Sequence, residues 1–188
     1  RQMCIRDRFS EAYLRLNPLS TQDDADAMLH RIQKSLNNDD LGRQFYKEIL
    51  LDTTNKIIDL SSPTNFIRNN TFQVATEMTC GDLSYDNFRP DITIFINGLP
   101  LAFIEVKKEN NHEGVDAERK RMKTRFTNPC FRRFLNITQI MVFSNDMEYD
   151  EQLKQGAYYA TIGKTKNTHY QSVDVCRCNG CNCFFLWN

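Results

Sequence analysis

The 188-residue sequence predicts an α/β fold, a mixed central sheet flanked by helices, on three observations. Apolar residues recur at helical spacing up to Asp52. Beyond it come short runs rich in β-branched residues, broken by Ser, Pro and Asn. A charged helical stretch then separates a hairpin from a further strand. Helices that precede and interrupt a sheet are the layers that cover its faces, so the elements sum to an α/β sandwich.

Taken in order, the first octet, "RQMCIRDR", has no periodicity and resembles a translated sequencing adapter. Residues 1–8 are therefore read as a non-native leader. In "FSEAYLRLN", Phe9, Ala12, Tyr13 and Leu16 repeat at helical spacing and Pro18 ends the helix. A second helix spans 21–37, with Thr21 as its cap and Asp23, Asp24 and Asp26 near its positive end. Its inward residues are Met28, Leu29, Ile32 and Leu36. "LGRQFYKEILL" reads as a third helix. "KIIDL" and "TFQVATEMT" read as strands, followed by the hairpin "RPDITIFINGLPLAFIEVKK", a helix over about 115–126, and the strands "ITQIMVFS" and "GAYYATIG". The domain is placed at 9–170 and a Cys-rich tail, 171–188, outside the fold.

Bulk properties narrow the class. A hydrophobic content of 40% in this length suits one domain with a core. Lys plus Arg and Asp plus Glu are each 24, so overall charge argues for neither a nucleic-acid nor a membrane partner. No apolar run approaches the ~20 residues of a membrane span, and no secretion signal opens the chain. Seven cysteines, with Cys4, Cys80 and Cys130 scattered, do not form a secreted disulfide pattern. The expectation is a soluble cytoplasmic protein.

The hairpin carries the chemistry. Alternation puts Ile92, Ile94 and Ile96 on one face and Asp91, Thr93 and Phe95 on the other. On the return strand Ala102, Ile104 and Val106 oppose Leu101, Phe103, Glu105 and Lys107. The Ile and Val sets are expected on the core. Asp91 comes beside Glu105 only with an odd number of connecting residues or one bulge. A three-residue loop of Asn97, Gly98 and Leu99, pairing Ile96 with Pro100, is the prediction.

Two carboxylates that close repel unless a cation lies between them. Oxygen donors favour Mg²⁺ or Mn²⁺, whose retained waters include a nucleophile for phosphodiester hydrolysis. Lys107 on the same face suits orientation of that water or neutralisation of phosphate charge. On alternation alone, a solvated face with surface ion pairs is the commoner meaning of such charges.

The combined pattern goes further. Pro90-Asp91, thirteen intervening residues and Glu105-Val106-Lys107 on an antiparallel hairpin resemble the PD-(D/E)XK nuclease signature. The whole segment, with its "NGLPL" turn, is similar to the N-terminal nuclease domain of type I restriction enzyme R subunits. That resemblance, extending from about Phe9 to Gly163, implies a restriction-endonuclease-like core. It implies that Asp91, Glu105 and the Val106 carbonyl bind Mg²⁺, that Lys107 is the catalytic lysine, and that DNA is the substrate. It also implies methylation and specificity subunits as partners, and ATP use only through motor domains that this chain lacks.

Departures from the family pattern are specific. The superfamily's acidic helix before the sheet is expected upstream of "FSEAYLRLN", so a chain truncated at its N-terminus is expected. Glu77 and Glu48 are the substitute candidates for a secondary acidic contact. The family's Gln-x-x-x-Tyr motif has no match in "DAERKRMKTRF". That helix instead brings Arg119, Lys120, Arg121, Lys123 and Arg125 near Lys108, with Arg132 and Arg133 following. Such a run is ordinarily a solvated helix face; next to a metal site it suits the backbone of double-stranded DNA. "GAYYATIGKT" fails the phosphate-loop spacing, because Tyr158 stands where its first Gly belongs. "CRCNGCNC" clusters thiols at Cys176, Cys178, Cys181 and Cys183 without a second ligand pair, and reads as an out-of-frame or truncated tail. His30, His112 and His169 have no ligand spacing. The expected function is thus a Mg²⁺-dependent endonuclease domain; a catalytically silent DNA-binding or assembly module, or another PD-(D/E)XK enzyme such as a repair nuclease or junction resolvase, are the alternatives.

Overall fold

The computed structural model describes residues 5–79, 88–107, 114–144, 158–162 and 171–172. Helix α1 spans Ile5–Leu16 and α2 spans Gln22–Ser35; α3, Arg43–Phe45, runs directly into a π-helical turn, Tyr46–Leu50. Helix α4 is Pro63–Asn69. Strands β1, Phe72–Thr76, β2, Ile92–Ile96, and β3, Leu99–Val106, precede α5, Gly114–Phe126. A 3-10 turn, Pro129–Phe131, leads into α6, Arg132–Ile137. Strands β4, Ile140–Ser144, β5, Tyr158–Ile162, and β6, Gln171–Ser172, complete the described elements.

The α/β expectation holds. The strands form one sheet in the order β1-β2-β3-β4-β5-β6. Every neighbouring pair is antiparallel except β3 and β4, whose parallel pairing needs the crossover that α5 and α6 provide. No helix among the described residues is long and apolar enough to cross a membrane.

Local chemistry explains the helices. Thr21 caps α2 in a reciprocal box: its hydroxyl accepts from the Asp24 N–H while the Asp24 carboxylate accepts from the Thr21 N–H. Met28, Ile32 and Leu36 face inward as their spacing predicts. The octet expectation needs amending, because α1 starts at Ile5 and its last four residues are helical.

Two apolar clusters meet at the sheet. One gathers α1, α2, α3 and the π turn over Leu99, Leu101 and Ile137. The other packs Phe88, Met122, Phe131 and Leu135 onto Phe103, Met141 and Phe143, through edge-to-face contacts such as Phe88–Phe103.

"KIIDL" is not a strand. Ile57 and Ile58 are buried, but asparagine side chains, not a neighbouring strand, satisfy this backbone. Asn17 bonds both the N–H and the C=O of Lys56, Asn97 donates to the Ile57 carbonyl, and Asn70 bonds both groups of Asp59. The Ser-Pro-Asn stretch expected to be a connection is α4, with Ser62 as its cap and Pro63 at its first position. Ile137, expected to open a strand, instead closes α6.

The hairpin departs from expectation in loop and face. Ile96 pairs with Leu99, so the loop has two residues, Asn97 and Gly98, both left-handed at φ 52° and 78°. That is the type I′ pattern. A bulge then offsets the count: Ile94 opposes Ala102 and Phe95 opposes Pro100, leaving Leu101 as the extra residue. The most buried face is not the isoleucine one. Thr93, Phe103 and Glu105 are buried beneath α5 and its neighbours, whereas Ile92, Ile94 and Ile104 are only half-buried.

Candidate active site

Ile92 opposes Ile104, so Asp91 stands one step further along, beside Glu105 and on its face. The predicted juxtaposition is therefore reached through the bulge. The Asp91 carboxylate accepts the Val106 N–H at 2.7 Å. In extended backbone a residue's N–H and C=O leave the same side, so the Val106 carbonyl faces the β2 side of β3. On the other side of β3, the Lys107 N–H donates to the Ser144 carbonyl at 2.7 Å and ties the strand end to β4.

Glu105 is 4% exposed, an uncommon setting for a carboxylate. Burial pushes its pKa up to about 7; the Lys107 ammonium pulls it back, and the charges of Asp91 and Glu118 push it further up. Lys107 Nζ lies 3.3 Å from Glu105 Oε2 and 3.3 Å from Glu118 Oε2.

Glu118 was not singled out by the sequence. It lies on α5, 3% exposed. Arg121 donates to it at 2.9 Å and Arg125 at 2.7 Å; burial acts to raise its pKa, but Arg125 and Lys107 outweigh it and hold the carboxyl below the usual range. The one sequence signal is the spacing of Glu118, Arg121 and Arg125, which share a helix face. Met122, one turn after Glu118, is buried in the aromatic cluster.

The other candidates disperse. Glu77, at φ 50°, is exposed; its N–H donates to the Asp91 carbonyl and its carboxylate sits 3.8 Å from Arg89. Glu48 lies on the π turn, where its carboxylate accepts from Gln44, in the helical part of the molecule. Lys120 and Lys123 are exposed on α5, and Arg119 belongs to the same helix. Arg125 turns inward, with its guanidinium 4.3 Å from the Phe88 ring centre. Arg132 pairs with Asp39 at 2.8 Å, and Arg133 lines a separate polar cleft with His30 and Lys34. Lys108, His112, His169, Gly163 and the Cys176–Cys183 cluster lie outside the described residues.

Among the described residues, no three or more His, Cys, Asp and Glu side chains surround one metal position. What is offered instead is two carboxylates and a backbone carbonyl, an all-oxygen set of the kind that suits Mg²⁺ or Mn²⁺. Glu105 is also a buried acid, and the neighbouring Asp91 charge adds to the rise in its pKa that burial causes.

Comparison with curated proteins gives no match. The family profile described as "Type I restriction enzyme R protein N terminus (HSDR_N)" matches residues 1–150, and with it the whole hairpin, α5 and β4. The chain accordingly belongs to the type I restriction enzyme R protein N-terminal family.

Proposed function

We propose that this chain is the Mg²⁺-dependent endonuclease domain of a type I restriction enzyme R subunit, with a restriction-endonuclease-like core, and that it hydrolyses DNA phosphodiester bonds. The observation that carries the reading is the convergence of Asp91, Glu105 and Lys107 at the end of one bulged hairpin. Asp91, Glu105 and the Val106 carbonyl would hold the Mg²⁺, and Mn²⁺ suits the same donors. When bound, the cation supplies Lewis acidity toward a phosphoryl oxygen and acidifies water.

The protein's own groups do the rest. Lys107 has three N–H donors, of which Glu105 and Glu118 accept two, leaving one for a phosphate oxygen as negative charge builds there. Asp91, fixed by the Val106 N–H, keeps one carboxylate oxygen turned to that strand. Lys120 and Lys123 are exposed on α5, and with Lys108 and Arg119 they would bear on the DNA backbone, a contact that carries no sequence information. Site recognition would fall to the methylation and specificity subunits, and ATP use to motor domains.

Cleavage of supercoiled plasmid in Mg²⁺ tests the assignment. Asp91→Ala and Lys107→Ala should each slow cutting by on the order of a hundredfold or more. Equal cutting by the native chain and both variants would falsify the catalytic roles. Absence of cutting with a gel shift that depends on Lys120 and Lys123 would favour a silent DNA-binding module.

A further inference from the structure

We propose that Glu118 is a positioning residue: its carboxylate holds the Lys107 ammonium at the end of β3 independently of Glu105, so that the lysine keeps its place when Glu105 serves a cation. The use made of the lysine rests on the nuclease reading above; the clamp itself rests on geometry.

Lysine ends a flexible four-carbon stem, and one acceptor rarely fixes it. Lys107 has two, Glu105 and Glu118, each at 3.3 Å. Glu105 is the one a cation would claim. Glu118 is anchored from behind. Its Oε1 accepts from Arg125 at 2.7 Å, and its Oε2 is shared between Arg121 and Lys107. Arg125 in turn lies over the Phe88 ring and against Met122 Sδ at 3.4 Å, so the chain of contacts runs from the aromatic core to the ammonium.

Charge supports the same role. Three cations surround one carboxylate, more than a helix-to-sheet tether requires. Lys107 is shared with Glu105, so once a cation draws on Glu105 the Glu118 carboxylate is the partner that continues to hold the ammonium. With both oxygens committed to cationic donors, Glu118 acts through the lysine and is not itself a cation ligand.

The test uses the full chain with Glu118→Gln, and Glu118→Asp as a second variant whose shorter side chain withdraws from the ammonium but keeps a charge for the arginines. Three quantities are measured: kcat and KM for plasmid cleavage in Mg²⁺, Mn²⁺ affinity by electron paramagnetic resonance, and the order of the Lys107 ¹⁵Nζ group by NMR, assigned by its loss in Lys107→Arg. Glu118→Gln should lower kcat by on the order of a hundredfold with KM and Mn²⁺ affinity little changed. The Lys107 ammonium should become mobile, most of all in Mg²⁺, and Glu118→Asp should give an intermediate result. If the ammonium stays as ordered in both variants as in the native chain, the clamp is wrong whatever the rates. A loss confined to KM or melting temperature, with kcat intact, also overturns it. If the native chain does not cut DNA while Lys107 order still depends on Glu118, the nuclease reading falls and the clamp stands.

Discussion

Asn97 illustrates what a single residue can conceal. As the first half of Asn-Gly it is a turn residue that tolerates a left-handed backbone, and that much is legible in the sequence. In the fold it is also 1% exposed. Its amide donates to the Ile57 carbonyl at 2.9 Å and to Asn70 Oδ1 at 2.8 Å, while its oxygen accepts the Thr71 N–H at 2.8 Å. These partners come from distant segments, and local pattern carries no trace of them. Asn97→Ala leaves buried groups unsatisfied and should cost about 2–4 kcal/mol in urea unfolding. Asn97→Gly, which keeps the backbone freedom, should recover only part; full recovery would mean that the turn alone matters. Glu118 was hidden for a related reason. In a run of alternating charges a buried acid looks like a solvated one, and only the overlying sheet distinguishes them.

At the scale of elements, the best-read feature is the start of α2. Thr21 and Asp24 announce a cap in the sequence and form one in the structure, because capping is local chemistry that tertiary packing rarely alters. Thr21→Ala should lower stability by about 1 kcal/mol, read as an earlier denaturant midpoint at unchanged slope. No shift in midpoint would mean that the helix start is held by packing alone. "KIIDL" misled because β-branched composition reports burial rather than strand pairing. The Ile face of β2 misled in a different way. An apolar-inward rule selects Ile92 and Ile94, but α5 and α6 cover the opposite side, where Thr93, Phe103 and Glu105 lie. The register was legible up to a choice between a longer loop and a bulge. Turn chemistry favoured the two-residue type I′ loop, and Leu101 absorbed the difference.

At the scale of the molecule, the candidate site joins a hairpin, a crossover helix and a second strand around one buried acid, and this coupling makes it sensitive to pH. The folded pKa of Glu105, about 7, lies above its ordinary 4.5, so the folded state holds its proton more tightly than the unfolded one. The resulting stabilisation is complete below about pH 4.5 and is lost as pH rises through about 7. In chelator, the melting temperature should therefore carry a declining contribution across that window, absent in Glu105→Gln. A divalent cation needs the ionised form, so its affinity should fall about tenfold for each pH unit below about 7. The Mg²⁺-induced rise in melting temperature should thus grow toward neutrality and then level; a rise equal at every pH would sink the assignment of Glu105 as a ligand. The bulge has its own consequence for anyone altering this hairpin. Within the paired segments the site depends on parity: an odd gain or loss between Ala102 and Glu105 would swing the acid out from beneath α5, whereas exchanging side chains at fixed length leaves it aimed. A label or graft inserted there must come in an even number, or be matched by a residue removed nearby.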